Sequence, residues 1–157
     1  MPLRALPRTA LGASGIAFED WFADLLQRAN VPFERASQKF SANVPRAYQN
    51  VDFAVSANEL SHSLGDSLPV ELIVGPVPRV IAGRRKVFES YLAATDASTV
   101  LVVSAQLNQP TSIWPMTTTG EVLACSALAM VHEMRSATFG AAVLALHSAA
   151  VQGDPIG

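Results

Sequence analysis

Leu68-Pro-Val-Glu-Leu-Ile-Val74 is a short apolar run broken by a single acid, and it ends abruptly at Gly75-Pro-Val-Pro78. Side chains on a strand alternate between faces, so Val70, Leu72 and Val74 are predicted to share one side while Glu71 and Ile73 take the other. The strand would then back a buried apolar face with a face that carries one carboxylate. Downstream, Arg79 to Thr95 returns to helical spacing, with Val80, Val87, Phe88, Tyr91 and Leu92 on one side and Arg84, Arg85, Lys86 and Glu89 near the other. Thr99 to Ser104 is apolar from Val100 through Val103, the pattern of a central strand buried on both faces.

Upstream of Leu68, Val51, Phe53 and Val55 alternate with Asp52 and Ala54, which predicts a strand over 48–57. Between them, 58–67 holds Ser61, His62, Ser63, Gly65 and Asp66, the composition of a loop joining paired strands. Val31 to Phe40 reads as a weaker first strand. Before it, Phe18, Trp21, Phe22, Leu25, Leu26 and Ala29 recur at helical spacing over 16–29, with Ser14 as an N-cap and Pro32 as the stop. Residues 1–13 lack periodicity and read as an arm. Beyond 104, Thr118-x-x-Glu121 has the form of a capping box, predicting a helical C-terminal third that starts near Thr119 and is divided or kinked at Gly140. Val122, Leu123, Val143 and Leu144 would also suit strands. The predicted architecture is therefore one α/β domain over 14–157, a mixed central sheet flanked by helices with an added helical third.

With 157 residues, half of them hydrophobic and 15% charged, the chain can bury a sizeable core in one domain. A net charge of −2 gives no global attraction to polyanions, so a nucleic-acid site would be a local patch. Arg79, Arg84, Arg85 and Lys86 form one, gathering four of the 11 basic residues; a solvated helix face is the plainer reading. The lone Cys125 excludes an internal disulfide and reads as a buried small hydrophobe. No signal-peptide core and no unbroken 18-residue apolar span is present, which predicts no membrane contact and an intracellular site, cytoplasmic or within an assembled particle. The three histidines lack metal-ligand spacing. Gly-x-Ser-x-Gly, Gly-x-x-x-x-Gly-Lys and Gly-x-Gly-x-x-Gly are all missing, so neither serine-hydrolase chemistry nor nucleotide cofactors are indicated.

The order helix, three strands, helix, strand, with Gly15-Ile-Ala-Phe-Glu19 on the first helix, Val51-Asp52-Phe53 on the second strand and Glu71-Leu72-Ile73 on the third, resembles the PD-(D/E)XK nuclease superfamily, in particular its Holliday junction resolvase branch. The resemblance covers 15–105 and implies a restriction-endonuclease-like core. It implies Asp52 and Glu71 as ligands of Mg²⁺ or Mn²⁺, Glu19 as an auxiliary acid, and Arg79, Arg84 and Arg85 on nucleic-acid phosphates. Two carboxylates from adjacent strands can hold such an ion against a scissile phosphate. The family has a lysine where this chain has Ile73, which leaves two expectations: Lys86 or an arginine of the following helix supplies the catalytic cation, or the chain keeps the fold and has lost the reaction. Each acid has a plainer reading too: Glu19 as a solvated first-turn carboxylate, Glu71 as a surface acid of an edge strand. Asp52, inside an apolar strand, must be paired, face solvent or bind a cation. A different class of function, a non-catalytic multimeric structural subunit such as a virion or assembly component, is favoured by the apolar content and the alanine-rich C-terminal third. It implies a homo-oligomer.

Overall fold

A computed structural model describes residues 15–38, 40–41, 44–56, 67–94 and 98–152. The arm at 1–13, the Ser14 cap and almost all of the 58–67 loop lie outside them. Six strands form one mixed sheet in the order β1-β2-β3-β4-β6-β5, where β1 is Phe33–Arg35, β2 Phe53–Val55, β3 Leu68–Ile73, β4 Thr99–Ser104, β5 Ser112–Pro115 and β6 Glu121–Ser126. The first three strands run as an antiparallel meander; β3, β4 and β6 are parallel, and β5 returns antiparallel at the far edge. Among the described residues four α-helices flank the sheet: α1 (Gly15–Arg28), α2 (Val77–Ala93), α3 (Ala127–Met134) and α4 (Phe139–Gln152).

The alternation of the strands divides the core in two. Phe53, Val55, Leu68, Val70, Leu101, Val103, Leu123 and Cys125 face α1, α3 and α4. Ala54, Ile73, Val100, Val102, Val122 and Ala124 face α2 and the 3₁₀ turn Arg46–Asn50, which contributes Tyr48. The strand at 99–104 is wholly buried and interior, as its apolar run predicts. Cys125 is a buried core residue whose thiol is pushed up to about 12 by burial, which makes it inert.

Four boundaries differ from the sequence reading. The strand expected over 48–57 is confined to Phe53–Val55, because residues 46–50 curl into a 3₁₀ turn that carries Tyr48 into the core. The weak first strand shortens to Phe33–Arg35, followed by a 3₁₀ turn. The capping box does not start a helix: Thr118 lies in the turn between β5 and β6, and Glu121 begins a strand beside β4. Long-range pairing explains the reversal, since Val122, Leu123, Ala124 and Cys125 are buried on both faces, where local capping chemistry carries little weight. Helix begins only at Ala127, where the Ser126 hydroxyl accepts the Ala129 N–H as an N-cap. Gly140 sits buried near the start of α4; the break between the two C-terminal helices falls earlier, after Met134.

Phe22 ties the first core together, fully buried and edge-on to Phe53 of β2 at 5.0 Å and to Phe139 of α4 at 6.4 Å. Phe22→Ala is expected to cost about 3–5 kcal/mol in urea unfolding. Leu128→Ala, at a side chain 44% exposed, is expected to stay within about 1 kcal/mol.

Candidate functional site

The candidate site forms where β2 and β3 separate. Their register pairs Phe53 with Val70, which leaves Asp52 just beyond the end of the ladder and beside Glu71. Asp52 Oδ2 accepts the Leu72 N–H at 2.8 Å, so a side chain replaces the backbone bond that a longer β2 would make. Burial pushes the Asp52 carboxyl up from 3.8 to about 6; the Leu72 N–H opposes the shift, and the charges of Glu71 and Glu19 add to it. Glu71 and Glu19, the other two acids expected from the sequence, are thus each within electrostatic reach of Asp52.

Glu71 is a charged residue only 4% exposed, in a strand flanked on both sides. Its carboxylate is matched by three donors. Arg84 Nε donates to Oε2 at 2.8 Å and Arg84 Nη2 to Oε1 at 2.5 Å, a two-pronged pair, and the Tyr91 hydroxyl donates to Oε1 at 2.9 Å. The hydrogen bond to Glu71 raises the Arg84 pKa, so the guanidinium stays charged. Burial, reinforced by Glu71, raises that of Tyr91, which keeps its proton as a donor. Arg84 also lies over the Phe88 ring, 5.9 Å from its centroid.

The local sequence explains how Arg84 arrives there. Val77, Ile81, Phe88 and Tyr91 are buried on the inner stripe of α2, and Arg84 occupies the missing step of that stripe. Arg84 is also a point of non-helical backbone, with φ −121° and ψ 15°, so α2 is kinked at the residue that reaches the strand.

The remaining site residues are dispersed. Glu19 meets Arg35 of β1 at 3.6 Å, and the same Nη2 is 3.0 Å from Asp20. Arg35 lies over Phe53 and so packs on the α1 side, whereas Arg84 approaches from the α2 side. Arg79, Arg85 and Lys86 are exposed on α2; Arg85 contacts the Pro115 carbonyl at 3.3 Å and Glu89 at 3.8 Å. Arg84, rather than Lys86, is the cation on Glu71. Arg35 and Tyr91 were not singled out from the sequence, nor was the pairing of His147 Nε2 on α4 with Glu121 on β6, which are 26 positions apart. Among the described residues no three His, Cys, Asp or Glu side chains are grouped to hold a metal ion, and no helix is long and apolar enough to cross a membrane. A cavity of about 280 Å³ beside β1 is lined by Glu34 and mostly apolar neighbours, and by neither Asp52 nor Glu71.

No protein-family profile, curated protein or solved structure matches the chain.

The raised Asp52 pKa has a definite consequence for stability. The folded state holds this proton more tightly than the unfolded chain, so the contribution is fully present below about pH 4 and is lost as pH rises through about 6. Asp52→Asn cannot ionise and keeps an oxygen for the Leu72 N–H. It is expected to raise the unfolding free energy at pH 8 by at most about 2–3 kcal/mol, with the gain vanishing near pH 4. An equal effect at both pH values would show that Asp52 ionises normally.

Proposed function

We propose that this chain is a nuclease-like domain that engages nucleic-acid phosphodiesters on the α2 side of its sheet and cleaves them weakly or not at all. The observation that carries this reading is the meeting of Asp52 and Glu71 from adjacent strands, beneath a cation delivered by the helix that follows them. The order α1, β1, β2, β3, α2, β4 supports a restriction-endonuclease-like core, with Glu19 on α1 contributing to the field at Asp52. Arg79 and Lys86 are seven residues apart on the exposed side of α2 with Gly83 between them, a stripe on which a phosphate backbone can lie close.

The Mg²⁺ or Mn²⁺ implied by the resemblance does not fit Glu71 as it stands, since both of its oxygens already accept hydrogen bonds. Binding without turnover is therefore the activity the arrangement supports best. Ile73, 7% exposed and packed in the α2-side core, offers no group to activate water.

A second reading, a multimeric structural subunit, is favoured by one observation. Val74, Leu107 and Leu128 are exposed apolar side chains that follow the carboxyl ends of β3, β4 and β6, which are neighbours in the sheet. A contact between copies of the chain would cover them.

Fluorescence anisotropy with branched and single-stranded DNA oligonucleotides tests the first reading. Binding with a Kd on the order of 10⁻⁵ M is expected, weakening steeply with salt and persisting in EDTA. Arg79→Ala with Lys86→Ala should weaken it for every sequence and flatten the salt dependence. Absence of binding even at low salt, together with sedimentation as a discrete oligomer, would overturn it in favour of the structural subunit.

A further inference from the structure

The disagreement between Glu71 and an incoming metal ion points to a property of the site. A carboxylate this deeply buried needs positive charge or several donors, and in a metal-dependent phosphodiesterase a divalent cation supplies the charge. Here a guanidinium supplies it, with two parallel hydrogen bonds from Arg84 and a third from Tyr91. The delivery is built into the backbone: Arg84 stands on the buried stripe of α2, at the kink. Its ring contact with Phe88 holds the guanidinium from a second side.

We infer that Arg84 is a resident counter-cation that occupies the position on Glu71 a divalent ion would take, so that the folded domain is complete without metal and acquires a metal response only when Arg84 is removed. The inference rests on the nuclease-like reading for what that position means, and on the Glu71–Arg84 geometry for everything else.

Thermal unfolding with Mn²⁺ as the probe tests it. The midpoint of the wild-type protein should be the same in EDTA and in millimolar Mn²⁺. Arg84→Gln should unfold at lower temperature in EDTA and recover much of the loss in Mn²⁺, because an ion bound only by the folded state shifts unfolding by mass action. Its apparent Mn²⁺ affinity should exceed that of the wild type by at least about tenfold. Glu71→Gln combined with Arg84→Gln should regain stability without metal and lose the response. Should Arg84→Gln fail to fold in EDTA, refolding from urea with and without Mn²⁺ gives the same comparison.

Two results would overturn the inference: wild-type protein stabilised by Mn²⁺ as strongly as Arg84→Gln, or Arg84→Gln folded and indifferent to Mn²⁺. The two proposals fail separately. DNA binding in EDTA alongside a metal-indifferent Arg84→Gln removes the counter-cation and leaves the nuclease-like reading standing; a metal-responsive Arg84→Gln in a protein that binds no DNA does the reverse.

Discussion

Glu71 carries a negative charge on a strand with partners on both sides and helices over both faces, and much of the surrounding geometry follows from having to match that charge. Removing Arg84 would leave the buried Glu71 carboxylate without its cation, at a cost below the roughly 3–5 kcal/mol of a fully buried pair because the Arg84 side chain is itself 39% exposed. The pair therefore constrains its surroundings more than it stabilises them. It fixes the rotation of α2 about its axis, since Arg84 can reach β3 only from the inner stripe. It fixes the position of Tyr91, two turns further along the same stripe, and through the edge-on contact at 5.6 Å the position of Tyr48 in the 3₁₀ turn.

β2 ends at the same place. If the ladder between β2 and β3 continued, Val51 would stand opposite Leu72 and its carbonyl would take the Leu72 N–H, while the Asp52 carbonyl already accepts the Ala36 N–H on the β1 side. Instead the Asp52 carboxylate takes the Leu72 N–H, and the strands part at the point where the acids stand. Burial pushes the Asp52 carboxyl up to about 6, and the neighbouring Glu71 charge adds to the shift. Arg84 is bonded to Glu71 and not to Asp52.

Where burial is periodic and local, the sequence carries the answer. Helix α1, strands β3 and β4 and helix α2 lie where the switch from period 3.6 to period 2 puts them, and Thr99 to Ser104 is as interior as its apolar run implies. Thr118-x-x-Glu121 failed as a helix start because a capping box is a local signal, whereas residues 121–126 are claimed by six-residue parallel pairing with β4. Asp52 and Glu71 were legible as acids in apolar strands. Arg84 is legible too, inside a basic run but apart from it: Val77, Ile81, Arg84, Phe88 and Tyr91 step by four, three, four and three, which puts the arginine on the core face. Arg35 meeting Glu19, and His147 meeting Glu121, could not be foreseen, because each joins elements whose relative placement only the sheet order determines.

Ile73 and Arg84 are best understood as one arrangement. Ile73 packs among Val77, Ile81 and the α2-facing residues of β4 and β6, in the core cluster that lies beneath α2. A lysine at 73 would bring a second cation into this buried layer, where Glu71 is already matched by Arg84. Conversely, an apolar residue at 73 leaves Glu71 dependent on a cation from elsewhere, and α2 provides it at the cost of a kink. Glu71 is matched by a basic group that arrives from the helix rather than from its own strand, so the charge matching of β3 and the seating of α2 on the sheet are one and the same contact.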